Sequence, residues 1–346
     1  MATEAEHQAF MDIWVELKNE VLENMLQRHG MPIDAKKWVQ DFIEYNCAGG
    51  KLNRGLSLLQ CSQILFGTQM TTEVCRKVCI LGWCIEWLQA SCLVIDDIMD
   101  QSAVRRGRPC WYRHSKVKMI AINDSFLLVS IVFQLIRNHF HGEDYYADLI
   151  DLFRDVIERT ELGQLLDATC QPHNEKPDLS RFTMDRYKKI VTYKTTFYTF
   201  YMPVACAMLL RGLNDRELHQ IARTYCIEIG IYFQIQDDFL DCYGDPAIIG
   251  KTGTDIQENK CTWLVVQACM RLNHEQKVRL RDNYGRSDPS SIERIKKLYN
   301  ELKLPSVYEE YEQSAYQSIY QRIAETDKLP AQMFIFLLQR IYKRDK

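Results

Sequence analysis

VCILGWCIEWLQASCLVIDDIMD, residues 78–100, decides the fold. Its apolar residues run nearly all the way round a helix, and the run is too long for a strand, which marks a helix buried on every side. Glu86 and Gln89 near its middle and Asp96-Asp97 at its close argue against a membrane span. A second stretch, IARTYCIEIGIYFQIQDDFLD at 221–241, has the same character and the same acidic finish. The pair is expected to form the central helices of a bundle, with their acidic ends facing one cavity. Elsewhere apolar residues recur every three or four positions, as in Phe10, Ile13, Trp14 and Leu17 and again in Tyr146, Leu149, Ile150, Phe153 and Ile157. Alternating segments joined by hairpin dipeptides are absent. The clear breaks fall at 48–50, 107–109, 171–177, 243–253 and 287–290. The expected fold is all-α: a helical bundle around a central cavity, with residues 1–346 forming a single domain.

Composition narrows the function classes. The 346 residues are 47% hydrophobic and 26% charged, enough to build a large core. A net charge of -3 supplies no overall positive field for nucleic acid, so none is expected as a partner. The 13 cysteines are odd in number and lack a CxxC pair, which suits buried thiols in a reducing compartment. The first 21 residues carry Glu4, Glu6, Asp12, Glu16 and Glu20 at helical spacing, unlike a basic, apolar signal peptide. A cytoplasmic protein with no transmembrane segment is expected.

The chemistry lies in the acidic helix ends. In Asp96-Asp97-x-x-Asp100, spacings of three and four bring the carboxylates to one patch. Three anions this close repel one another unless a cation neutralises them, and oxygen-only donors suit magnesium. Magnesium keeps waters and takes phosphate oxygens as well as carboxylates, so a phosphorylated ligand is implied. One such triplet could be a solvated face. Asp237-Asp238-x-x-Asp241 repeats the spacing on a second apolar helix, which chance does not readily produce. Arg105-Arg106, Lys194, Lys251 and Lys260 are candidate counter-charges for the phosphate oxygens that metal leaves over. The loop GGKLNRG at 49–55 offers Lys51 and Arg54 beside glycines that let the backbone approach an anion, although the same glycines would serve as helix caps. Glu86, Gln89, Glu161, Gln164 and Asp167 are polar residues in apolar helices, either site residues or satisfied core groups.

These motifs together resemble the eukaryotic farnesyl diphosphate synthases of the trans-isoprenyl diphosphate synthase family, over essentially the whole chain. The resemblance is carried by GGKLNRG at 49–55, LQASCLVIDDIMD at 88–100, RRGRPCWY at 105–112, GQLLD at 163–167, YKTTFY at 193–198, FQIQDDFLD at 233–241, GKTGTDIQENKCTWLV at 250–265 and IYKRDK at 341–346. It implies the type I isoprenoid synthase fold, a homodimer, and condensation of isopentenyl diphosphate with an allylic diphosphate. Three magnesium ions are expected on Asp96, Asp97, Asp100, Asp237, Asp238 and Asp241, with Asp96, Asp100 and Asp237 as principal ligands. Arg105, Lys194 and Lys251 would hold the allylic diphosphate, assisted by Gln164, Asp167 and Lys260. Isopentenyl diphosphate would meet Lys51, Arg54, Gln89 and Arg106, with Phe233 and Gln234 near its hydrocarbon end. The Lys194 carbonyl and the side chains of Thr195 and Gln234 would face an allylic cation, and the tail at 343–346 would help to close the site against water. A terpene synthase, ionising one prenyl diphosphate and needing no second diphosphate site, is the rival reading.

One departure bears on the product. The two residues fifth and fourth before the first aspartate are usually Phe-Phe in animal farnesyl-type members and floor the chain cavity. Here they are Ser91 and Cys92, about one turn below Asp96. Loss of two rings is expected to deepen the pocket and to extend the product to geranylgeranyl diphosphate, unless another residue such as Phe126 rebuilds the floor.

Overall fold

The computed structural model describes residues 4–171, 176–245 and 253–343. The described residues are overwhelmingly helical, as the periodicity predicts. In order, α1 is Glu4–Gln27, α2 Ile33–Asn46, α3 Asn53–Phe66, α4 Thr72–Met99, α5 Ile120–Phe140, α6 Tyr146–Ala168 and α7 Met184–Val191. A π-helical segment, Thr192–Tyr201, leads into α8 Met202–Leu210, and α9 is Arg216–Tyr243. Then follow α10 Trp263–Cys269, α11 His274–Asn283, α12 Pro289–Glu301, α13 Leu304–Ala324 and α14 Ala331–Ile341.

Packing divides the chain into two compact units. One comprises Met1–Asp155 and Tyr201–Ala222, the other Val156–Phe200 and Arg223–Lys346.

The first unit is built on α4. Thr71 starts it, its hydroxyl accepting from the Val74 amide, and Trp83, Ile85, Trp87 and Leu88 are buried around its circumference. This is the buried helix that its composition predicts, with 78% of its most apolar window inside the protein. Mid-helix Gly82 costs about 1 kcal/mol relative to alanine. The return is a close approach: a Cβ there would lie 3.2 Å from Gly55 Cα on α3 and 2.7 Å from the Phe10 ring on α1. Phe10 also stacks on Trp83 at 4.7 Å, and the Trp83 indole donates to the Phe10 carbonyl at 2.7 Å.

One short hairpin departs from the all-helical expectation. Val104–Arg105 pairs antiparallel with Arg108–Pro109, and Arg106 and Gly107, at φ 54° and 72°, form its two-residue turn. Positive φ at both positions is what a tight hairpin turn with the native strand twist requires, but Arg-Gly lacks the usual Asn-Gly signature. The hairpin is anchored by Trp111, whose indole donates at 2.8 Å to the buried Asp124 of α5, while Trp38 of α2 donates to its other oxygen at 2.9 Å.

The second unit gathers Tyr187, Ile190, Ile235, Trp263, Leu264, Leu298 and Tyr299 into one core, with Phe239 stacked on Tyr308 at 3.8 Å. Within it Gly163 of α6 lies against the π-helical backbone: a Cβ there would stand 2.1 Å from the Lys194 amide nitrogen. Gly230 of α9 likewise admits the Thr196 side chain, which would be 2.3 Å from a Cβ.

Candidate active site

In the first unit the acidic cluster occupies the C-terminal end of α4. A helix C-terminus carries partial negative charge, so three aspartates there need cations. Arg105, placed by the hairpin, supplies one: its Nε and Nη2 donate to Asp97 Oδ1 at 2.9 and 2.6 Å, and Nη2 lies 3.4 Å from Asp96 Oδ2. Burial works against the Arg105 charge, but Asp97 and Asp96 more than offset it and its pKa is raised. Asp97 is 4% exposed, whereas Asp96 and Asp100 are half-buried.

The same unit gathers much of the predicted isopentenyl half-site. Arg106 turns back over the 46–50 loop, its Nη1 donating to the carbonyls of Asn46 and Ala48 at 3.1 and 3.2 Å. Gly50 lies directly beneath it, and a Cβ there would meet Arg106 Nη2 at 2.7 Å and push the guanidinium aside. Lys51 is exposed and Arg54 half-buried at the start of α3; Gln89 is half-buried on α4. Glu86, one turn before Gln89, is buried and accepts from the amides of Arg54 and Gly55, both at 2.9 Å. The core-polar alternative is therefore the one that describes Glu86.

In the second unit the structure brings Asp167, Lys194 and Lys260 together. Both ammonium groups reach Asp167 Oδ2, at 2.6 and 2.9 Å. Burial pushes the Asp167 pKa up, but the two lysines outweigh it and hold the carboxyl below its ordinary range. Lys194 and Thr195 lie in the π-helical segment, where the Thr196 hydroxyl donates back to the Val191 carbonyl at 3.2 Å. Such widened turns disturb the regular carbonyl ladder, and they recur at functional sites. No spacing signal in 193–201 distinguishes this segment from an α-helix. Gln164 is half-buried on α6.

On α9, Gln234 Nε2 donates to Asp238 Oδ1 at 3.0 Å, and the Trp263 amide donates to Asp238 Oδ2 at 2.7 Å. Burial raises the Asp238 pKa to about 7, against the pull of these donors. Asp241 accepts from the amides of Thr254 and Asp255 at 3.3 and 3.1 Å, and Gly253 leaves room for its backbone. Asp237 is half-buried, and Phe233 packs edge-on to Phe200 at 5.4 Å. Lys251 and the tail residues 344–346 lie outside the described residues.

Six aspartates were expected to share the metal. Protein donors reach Asp97 and Asp238, and backbone amides reach Asp241 as well, while all six aspartates offer only carboxylate oxygens. Among the described residues no three His, Cys, Asp or Glu side chains form a ready-made metal cage. That donor set fits magnesium, which takes one or two carboxylates and completes its shell with water and phosphate oxygen. A bound ion would neutralise charge on phosphate oxygens.

The sequence matches the Polyprenyl synthetase family over residues 36–302. The chain belongs to the polyprenyl synthetase family. Among its relatives, the farnesyl diphosphate synthase of Dictyostelium discoideum is 45% identical, over 97% of this chain and 89% of that protein. The farnesyl pyrophosphate synthase of Gallus gallus is 44% identical over 100% of this chain and 94% of its own. A solved structure of the T. brucei farnesyl diphosphate synthase complexed with risedronate superposes with a TM-score of 0.92 at 32% identity, covering 99% of this chain and 100% of that one. This polyprenyl synthetase is accordingly a prenyltransferase with an all-α isoprenoid synthase fold.

Two determinants escaped the sequence reading. Glycines 163 and 230 look like ordinary helix interruptions until the π-helical backbone and Thr196 occupy the space beside them. Asp124 carries no motif; only the convergence of two indoles on it shows its work in anchoring the hairpin. Phe126, the candidate for rebuilding the chain-length floor, is 66% exposed, so its ring fills no closed space, while Ser91 is 2% exposed and Cys92 half-buried.

Proposed function

We propose that this prenyltransferase condenses isopentenyl diphosphate with dimethylallyl and geranyl diphosphates to farnesyl diphosphate, and continues to geranylgeranyl diphosphate. The observation that supports the condensation is Arg106 seated on the 46–50 loop, next to the start of α3 where Lys51 and Arg54 lie, the residues expected to meet a second diphosphate. A lyase has no use for it, so the terpene synthase reading is disfavoured. The names of the relatives, farnesyl diphosphate synthases from an amoeba and a bird, support the fifteen-carbon product. The extension rests on Ser91 and Cys92, small side chains that stand where animal farnesyl-type members usually carry two phenyl rings.

Arg105, Lys194 and Lys260 bind and orient the allylic diphosphate, Lys251 joins them, and Asp167 fixes the two lysines with Gln164 nearby on the same helix. Magnesium, three ions by family resemblance, would be held by Asp96, Asp97, Asp100, Asp237, Asp238 and Asp241, with Asp96, Asp100 and Asp237 as principal ligands. As the allylic carbon–oxygen bond breaks, the positive groups stabilise the leaving diphosphate, the isopentenyl double bond attacks the cation, and the released diphosphate accepts the proton. The Lys194 carbonyl, Thr195 hydroxyl and Gln234 amide oxygen supply negative ends of dipoles to the cation. Donation from Gln234 Nε2 to Asp238 leaves its Oε1 for that task.

We assign residues 1–346 to one functional domain. An exposed apolar row on α5, Met119, Ile120, Ile122 and Phe126, favours a homodimer, and 13 cysteines free of disulfides suit the cytoplasm. The test is product chromatography with labelled isopentenyl diphosphate and dimethylallyl, geranyl or farnesyl primers. Incorporation with the first two and elongation of the third are expected. Refusal of the farnesyl primer removes the twenty-carbon product, and diphosphate release without incorporation would favour the lyase.

A further inference from the structure

Helix α3 begins without a cap of its own. Its N-cap is Leu52, at φ 50° and ψ 33°, and offers no side-chain acceptor. The first turn therefore presents unsatisfied amides, and a helix N-terminus in this state attracts anions. Glu86 of α4 fills it. Its Oε1 accepts from both Arg54 and Gly55, the second and third helical residues, whose amides an N-cap Ser or Asp normally satisfies. This reach across helices is possible because Gly55 and Gly82 bring α3 and α4 together, and Glu86 lies one turn beyond Gly82 on the same face. The Glu86 charge also favours the charged form of Arg106 against burial.

We infer that Glu86 is a positioning residue for the isopentenyl diphosphate half-site. Its carboxylate pins the backbone from which Arg54 projects and occupies the helix end that would otherwise compete for a diphosphate. The incoming substrate is thus left to the side chains of Lys51, Arg54 and Arg106. Glu86 itself does not touch substrate in this assignment. The inference rests on the half-site reading above.

Steady-state kinetics of the full-length enzyme, with KM measured separately for isopentenyl and geranyl diphosphates, tests it. Glu86→Ala is expected to raise the isopentenyl KM about 10-fold or more, the order of losing two capping bonds, while the geranyl KM stays within about twofold. Glu86→Gln keeps an oxygen acceptor and is expected to recover most of the loss. Should Glu86→Ala not fold, Glu86→Asp, one methylene short of the amides, is expected to show the same selective rise. Equal movement of both KM values, or no movement of the isopentenyl KM in a folded variant, overturns the inference. Lys51→Ala separates the two readings: if it leaves the isopentenyl KM unchanged, the half-site itself is misplaced, and if it raises that KM while the Glu86 variants do not, only the role of Glu86 fails.

Discussion

The Lys194 ammonium lies 2.6 Å from Asp167 Oδ2, and Lys260 comes within 2.9 Å of the same oxygen. Replacing Asp167 with Asn removes the carboxylate that the two lysines share. The expected result is a fall of about 10- to 100-fold in kcat/KM for geranyl diphosphate, with the isopentenyl KM little changed. Stability should drop by about 2 kcal/mol, below the figure for a fully buried pair because both lysines keep some solvent. Urea unfolding and steady-state kinetics measure the two effects.

The same carboxylate sets an acid limit. Its folded-state pKa lies below the ordinary 3.8, so its stabilisation is complete above that value and is lost as pH falls through the lower folded value. Unfolding free energies measured from pH about 5 down to about 2 should fall less steeply in Asp167→Asn than in the wild type. Identical slopes would show that the lysine pair does not depress this group.

Chelation of divalent metal should abolish turnover and added magnesium restore it. Asp100→Ala and Asp241→Ala are each expected to lower kcat by about 100- to 1,000-fold, the scale of losing part of the metal-borne charge stabilisation. Near-normal turnover in both variants would remove the metal assignment.

Cys92→Phe returns a ring to the position below Asp96. Chromatography of the products should show the twenty-carbon diphosphate replaced by farnesyl diphosphate. An unchanged product ratio would mean that Cys92 does not line the chain channel.

Gly163→Ala would force a Cβ to 2.1 Å from the Lys194 amide nitrogen, which is backbone and cannot step aside. Loss of about 2 kcal/mol or more and a large fall in kcat are expected, because the residues facing the cation must shift. Wild-type melting and turnover in this variant would mean that the helix and the π-helical segment are not so closely packed.

Asp124→Ala leaves the indoles of Trp38 and Trp111 without an acceptor. A loss of about 1 to 3 kcal/mol is expected by urea unfolding, since the buried Trp111 donor and the half-buried Trp38 donor lose their acceptor.

The sequence by itself determined that α4 and α9 are helices with buried flanks and acidic ends. Helical periodicity and the spacing of three and four within each aspartate cluster are local properties, carried by the chain wherever it folds. It also singled out Arg105, Lys194 and Lys260 by their short recognisable motifs, but the structure sets Arg105 on Asp97 and Asp96 and the two lysines on Asp167. Which side chains meet each carboxyl was beyond its reach: Asp97 and Asp238 look identical to their neighbours in sequence, yet Arg105, Gln234 and the Trp263 amide converge on them and bury them. The cap that Glu86 gives to α3, the π-helical turn beneath Lys194 and the indole clamp on Asp124 belong to tertiary structure alone. The cap and the clamp join groups distant in sequence, and such hydrogen bonds leave no periodic trace in the residues that make them; the π-helical turn is local, but Gly163 of another helix packs against its backbone.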